Sequence, residues 1–332
     1  MNRIILSILI LSFLGSELAA QKKWKVVSST SIFQDMAKTI GQDKIESYSI
    51  VPIGGDPHIY EPRPSDASLV ESADLILVNG FNFEGWITEL IENSGTKAKV
   101  VTITKGVKPI ASLTYKNAYD PHAWMDAIYG QSYIKNISES LQDMDPDNKE
   151  TYAKNTEAYL KELKDLHQYI EKAIEKIPEK TRVLITSHDA FSYYGDRYGI
   201  EVSPIMGIST DAEAQTSDIS RVTKIIKDSG VPAVFIESTI NPKLLKQIAE
   251  DNGVGIGGEL FSDSIGEEDS EADTYLNMLK HNTDVIVGAL SEGRLTKTKI
   301  DEDDTSFNLY LYLGLGILML GSIILLLIKA QK

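Results

Sequence analysis

The stretch DPDNKETYAKNTEAYLKELKDLHQYIEKAIEKI, residues 145–177, decides how this chain is organised. Asp145-Pro146 has the form of an N-cap followed by proline at the first helical position. Behind it Tyr152, Tyr159, Leu163, Leu166, Ile170, Ala173 and Ile177 recur at the three-to-four-residue spacing of a helix with one buried face. A continuous helix from 146 to 177 would span about 48 Å at a rise of 1.5 Å per residue. One small domain does not need that length, so the helix is predicted to link two lobes.

Both flanks read as alternating strands and helices. Lys25-Val26-Val27, Leu75-Ile76-Leu77-Val78 and Val100-Val101-Thr102-Ile103 lie before the helix, and Val183-Leu184-Ile185-Thr186 and Ala233-Val234-Phe235-Ile236 after it. Each is followed by turn residues and a helical pattern, the order that produces parallel sheets with crossover helices. The expected class is therefore α/β, with two lobes, each a mostly parallel sheet flanked by helices. The predicted boundaries are 21–144 for the first lobe, 145–178 for the linking helix and 179–290 for the second.

Composition narrows the function. The 332 residues are 42% hydrophobic and 24% charged, a globular balance. A net charge of −15 leaves no basic stripe to neutralise phosphates, so nucleic acid is excluded as a partner. The sequence contains no cysteine, which removes disulfides and thiolate metal sites.

Both ends point to a membrane. Arg3, the apolar run 4–14 and Gly15-Ser16-Glu17-Leu18-Ala19-Ala20 have the layout of a secretory signal, with cleavage expected after Ala20. Residues 309–328 carry no charge and have the length of a transmembrane helix, with Tyr310 and Tyr312 at one edge. Asp301-Glu302-Asp303-Asp304 precede this segment, and Lys329 and Lys332 follow it, so the positive-inside rule leaves the main body outside the cytoplasm. Residues 291–308 would form a polar tether.

Five histidines are present, and two share the triplet Asp-Pro-His, at Asp56-Pro57-His58 and Asp120-Pro121-His122. Proline stiffens each turn and pre-orients its imidazole, as a metal ligand requires. His188 ends a strand-like run, where ligand sites gather in open α/β sheets. His167 and His281 lie within helical patterns and read as surface or packing residues. A fourth donor is sought at Asp263, in Leu260-Phe261-Ser262-Asp263-Ser264 after the glycine-containing run 254–258, with Asp189 and Glu237 as weaker candidates.

Ile53-Gly54-Gly55-Asp56-Pro57-His58-Ile59-Tyr60-Glu61-Pro62-Arg63-Pro64-Ser65-Asp66 and Asp120-Pro121-His122-Ala123-Trp124-Met125-Asp126 resemble the metal-binding receptors of manganese and zinc ABC importers. Thr186-Ser187-His188-Asp189-Ala190-Phe191 and Phe261-Ser262-Asp263-Ser264 resemble that family's remaining ligand segments, and the resemblance runs from about residue 24 to 290. It implies a monomeric, extracytoplasmic substrate-binding protein that hands a divalent ion to a permease with a cytoplasmic ATPase. His58 and His122 would be the ligands of one lobe and His188 and Asp263 those of the other; Asp56, Asp120 and Glu237 are candidates either to receive imidazole N–H groups or to serve their local turns.

Many manganese-directed relatives have glutamate where this chain has His188, which tilts the site towards zinc. Zinc-dedicated relatives often carry a histidine-rich loop that residues 105–119 lack. Zinc and manganese are both retained as cargo, ahead of iron. Relatives are often held by lipid on an N-terminal cysteine; here the C-terminal helix would be the anchor.

Two other classes compete with that reading. A membrane-tethered zinc hydrolase would use His58, His122 and His188 as ligands with Glu61 or Asp189 as base, but His-Glu-x-x-His is missing and four protein ligands leave no position for an activated water. A surface adhesion module would use the metal structurally and unfold without it.

Overall fold

The computed structural model describes residues 23–111 and 118–295. The expected signal segment 1–20, the tether beyond residue 295 and the apolar segment 309–328 lie outside the described residues. Among the described residues no helix is long and apolar enough to cross a membrane.

The first half builds one parallel sheet from β1 (Trp24–Ser28), β2 (Ile45–Ser49), β3 (Leu75–Val78) and β4 (Lys99–Thr102), in the order β2-β1-β3-β4. Helices α1 (Ser31–Gly41), α2 (Pro64–Glu71) and α3 (Ile87–Ser94) make the crossovers. Two helices follow, α4 (Ala127–Met144) and α5 (Lys149–Ile174). The second half repeats the plan with β5 (Val183–Leu184), α6 (Ser192–Tyr198), β6 (Glu201–Val202), α7 (Thr216–Ser229), β7 (Ala233–Glu237), α8 (Lys243–Asn252) and β8 (Gly255–Leu260). It holds two two-stranded parallel sheets, β5–β6 and β7–β8, bridged by Phe235 N–H donating to Ile185 O at 2.9 Å, which sets the strands in the order β6-β5-β7-β8. Helix α9 (Tyr275–Glu292) closes the described chain.

Because side chains alternate across a strand, neighbouring residues enter different cores. Val26, Leu75 and Leu77 face one way, Val27, Ile76 and Val78 the other, against α2 and α3. Leu184, Ala233 and Phe235 are divided in the same manner from Val183, Ile185 and Val234, which pack on α7 and α8. The inner faces of both sheets, with α1, α4, α5 and α9, form one continuous core, whereas each outer face has a separate core.

The linking helix is shorter than its sequence pattern. Pro146–Asn148 form a 3₁₀ turn and the α-helix covers Lys149–Ile174, 26 residues or about 39 Å. Asp145 causes the break: its carboxylate accepts hydrogen bonds from the Asn148 amide and the Tyr152 hydroxyl, both at 2.7 Å, instead of capping a continuous helix.

Buried hydrogen bonds tie the halves together above the inner core. Trp124 Nε1 donates to Ser262 O at 2.8 Å, Tyr275 Oη to Trp124 O at 2.6 Å, and Tyr193 Oη to Asp120 O at 2.9 Å. Gly130 lets α4 approach Tyr275, since a Cβ there would stand 2.3 Å from the hydroxyl oxygen.

Candidate metal centre

The four residues singled out from the sequence meet at one point. One ligand atom from each of His58, His122, His188 and Asp263 lies within 4.8 Å of all the others. His58 is carried by the loop between β2 and α2, and His122 by the segment entering α4. His188 follows β5 and Asp263 follows β8. All four therefore lie beyond the carboxyl ends of parallel strands, where backbone leaving a sheet is free to turn towards a ligand.

Each Asp-Pro-His triplet folds as the same local turn. The backbone N–H of His58 donates to Asp56 Oδ1 and that of His122 to Asp120 Oδ1, both at 2.9 Å. A carboxylate that accepts from a backbone N–H two residues on makes an Asx turn, compact enough to aim the imidazole. The triplets differ in what else the aspartate does. Asp120 Oδ1 also lies 2.8 Å from Nδ1 of His122, whereas Asp56 Oδ2 accepts from the Thr210 hydroxyl at 2.6 Å and leaves the His58 ring alone. Of the two roles open to Asp56, it takes the turn and not the imidazole. Glu237 does approach its histidine: it accepts from the His188 backbone N–H at 2.9 Å, and its other oxygen stands 2.7 Å from His188 Nδ1.

With Nδ1 turned towards a carboxylate, His122 and His188 point Nε2 inward, leaving that atom to receive a cation. Nε2 of His58 lies 3.2 Å from Nε2 of His122; Nε2 of His122 lies 3.4 Å from Asp263 Oδ1, and Nε2 of His188 lies 3.1 Å from Asp263 Oδ2. A tetrahedral shell with ligand bonds of about 2.1 Å has edges of about 3.4 Å, the same scale. Both Asp263 oxygens and both His188 ring nitrogens are buried without an aligned hydrogen-bond partner among the described residues. A buried carboxylate in that condition is costly unless a positive charge stands beside it, and a cation at this point meets the need. The donor set of three imidazoles and one carboxylate suits a divalent transition metal.

The protonation of the pocket follows from its charges. Burial drives His58 down to about 3, the two other imidazoles adding to the effect against the opposing pull of Asp263. Burial also opposes charge on His122, but Asp120 and Asp263 outweigh it and lift the imidazole to about 9. For His188, burial is overcome by Glu237 and Asp263, which raise it well above the usual histidine range. Asp263, despite complete burial, is held well below the usual carboxylate range by His188 and His122.

The remaining histidines lie elsewhere. His167 meets the Tyr198 hydroxyl at 3.2 Å and His281 the Glu259 carbonyl at 3.1 Å, both as helix-packing contacts. Asp189 accepts from the Ser192 hydroxyl at 2.6 Å at the start of α6. Glu61 is exposed.

Sequence reading missed Phe83, whose ring packs edge-on to His58 at a centroid distance of 4.9 Å and to His122 at 5.9 Å. Phe81 and Asn82 adopt positive φ, 55° and 60°, to turn the chain before it. Glu84 fixes this turn by accepting from the Ser29 hydroxyl at 2.6 Å and Asn79 N–H at 2.7 Å. The signal in Gly80-Phe81-Asn82-Phe83-Glu84-Gly85 is a glycine-bounded turn, which marks a bend but not what it faces.

Residues 26–289 match the family described as ZnuA, zinc-uptake complex component A, periplasmic. The chain is 38% identical over 268 residues to the manganese-binding lipoprotein MntA of Halalkalibacterium halodurans, covering 81% of this chain and 89% of that protein. It is 37% identical over 279 residues to the manganese ABC transporter substrate-binding lipoprotein PsaA of Streptococcus pneumoniae serotype 4, covering 82% and 90%. Among solved structures, the periplasmic zinc-binding protein TroA of Treponema pallidum superposes with a TM-score of 0.77 at 32% identity, over 81% of this chain and all of that one.

Proposed function

We propose, because this chain belongs to the zinc-uptake component A family, that it captures a divalent transition metal between two lobes and delivers it to an ABC permease. It is a substrate-binding protein and not an enzyme, and the ion, zinc or manganese, is its cargo. His58 and His122 hold the ion from the first lobe, His188 and Asp263 from the second. The observation that carries this reading is the convergence of those four residues, drawn from four separate loops, to within 4.8 Å of one another.

Capture is coordination by donors arranged in advance. Asp120 and Glu237 hold two imidazoles in the orientation that exposes Nε2, so little ordering remains when the ion arrives. Delivery needs the donors to separate. Because they come from two halves of the chain, a small displacement of the second-half pair removes two of four donors at once, and docking on the permease would supply it.

The relatives are named lipoproteins, and the present sequence has no cysteine to carry a lipid. The uncharged segment 309–328 is assigned as the membrane anchor in its place, with residues 23–295 on the extracytoplasmic side.

Metal analysis of a purified fragment spanning residues 21–300 tests the reading, followed by competition between zinc, manganese and iron. One ion per chain is expected. Asp263→Ala should weaken binding by roughly 10²–10³-fold, as removing one partner from a buried charged cluster does. Unchanged affinity in that variant would refute the ligand assignment.

A further inference from the structure

The two Asp-Pro-His turns share a backbone geometry and differ in one connection. Asp120 uses a single carboxylate oxygen for both the backbone N–H and the ring of His122, so its side chain makes no contact across to the second half, although its backbone carbonyl accepts from the Tyr193 hydroxyl. Asp56 holds the His58 backbone with Oδ1, while Oδ2 receives the hydroxyl of Thr210, 154 residues away in the loop between β6 and α7. Both oxygens of Asp56 are engaged away from the His58 ring, and His58 is the only one of the four that is not fully buried. Its placement depends on the turn beneath it.

We propose that Thr210 is a positioning residue for metal retention: by bonding to Asp56 across the cleft, it makes the second half of the chain hold the first-half ligand His58. The inference rests on His58 being a ligand. While the bond is made, the turn is clamped from both sides and His58 stays on the ion. When the halves part, Asp56 loses its second contact and His58 is released together with the second-half donors, although its own loop belongs to the first half. His122 keeps the contact of its ring with the Asp120 carboxylate, which lies within the first half. Loss of the ion then proceeds from three ligands rather than two.

The surroundings suit a bond that is made and broken. Asp56 and Thr210 line one cavity of about 260 Å³, together with Ile59, Ser187, Met206 and Leu244. Ile59 and Leu244 are exposed, at 53% and 37%, so the cavity mouth carries an apolar residue from each half. A hydroxyl on this wall exchanges its partner for water without unsealing a core, which keeps opening cheap, whereas the metal donors behind it stay buried.

The test is the rate of zinc release. Zinc-loaded protein is mixed with excess chelator in a stopped-flow instrument, for the natural chain and for Thr210→Val, Thr210→Ser and Thr210→Ala. Valine keeps the shape without the hydroxyl and should speed release about three- to tenfold, the range of one hydrogen bond lost. Association should stay within about twofold. Serine should restore slow release and alanine should behave as valine. Release by both Val and Ala variants at the natural rate would overturn the proposal, as would a Ser variant as fast as Val. Metal-free melting temperatures equal to the natural chain's separate this effect from general loosening.

A second arm distinguishes the latch from the site it serves. In a His58→Ala background, Thr210→Val should add no further acceleration, because the ligand that it positions is gone. Additional acceleration there would overturn the latch alone. Unchanged zinc affinity in His58→Ala by itself would overturn the ligand reading and the latch with it.

Discussion

Nδ1 of His122 lies 2.8 Å from Oδ1 of Asp120, two residues earlier in the chain and buried with it. This contact turns Nε2 of His122 into the pocket, and Glu237 Oε2 stands 2.7 Å from Nδ1 of His188. Asp120→Ala and Glu237→Ala should each weaken metal binding about 10–100-fold while the stoichiometry stays at one ion. Competitive titration against a chelating dye measures both quantities, and a loss of less than twofold in either variant would count against the orienting role.

Binding should release protons. At neutral pH His58 is neutral in the metal-free pocket, whereas His122, raised to about 9, and His188, raised well above the usual histidine range, carry protons. A metal takes only neutral imidazole, so loading at pH 7 expels about two protons, and affinity falls about tenfold per pH unit for each as the solution is acidified. Calorimetry in buffers of different ionisation heat counts them, and a count of zero would contradict the charge arrangement.

Metal-free stability should move the other way. A histidine raised above its unfolded value of about 6.5 stabilises the fold fully below that pH and ceases to do so as pH rises through its folded value. For His122 the window is about 6.5 to 9. The melting temperature of the metal-stripped protein should therefore decline across this window while metal affinity climbs. A melting temperature that rises between those pH values would show the sign to be wrong.

Gly130→Ala should lower stability by about 1–3 kcal/mol, because its methyl group would meet the Tyr275 hydroxyl and Leu163 at 2.3 and 3.1 Å in a filled core. Thermal melting of the metal-free protein reads this directly. An unchanged midpoint would mean that α9 shifts freely against α4.

A fragment of residues 21–300 should be recovered in the soluble fraction, and the full chain in the membrane fraction. Recovery of the fragment only with membranes would shift the anchor away from 309–328.

Much of the framework was legible because burial leaves periodic marks. Leu75 to Val78 face cores on both sides, so all four residues are apolar, and the run is plain in the sequence. Strand β2 was not legible: at a sheet edge only Ile45 of its five residues is buried, and no apolar run results. Strand β6, with two residues, leaves no period at all. The candidate site was legible where the proposed ligand and its support lie close in sequence, as in His122 and Asp120. Thr210 left no signal because its partner is 154 residues distant and a threonine in a loop has many uses. Asp145 misled for a related reason, since the Tyr152 hydroxyl that draws its side chain away from capping is visible only once the chain is folded.

The continuous inner core has a consequence for how the molecule melts and how it can be cut. Each sheet hides its inner face against α1, α4, α5 and α9, helices drawn from both halves, so neither half is a complete folding unit. Heating should give a single calorimetric peak. A chain cut near residue 178 would leave two sticky pieces instead of two working modules, and an ion held by His58, His122, His188 and Asp263 together would report on the integrity of everything between residues 23 and 295.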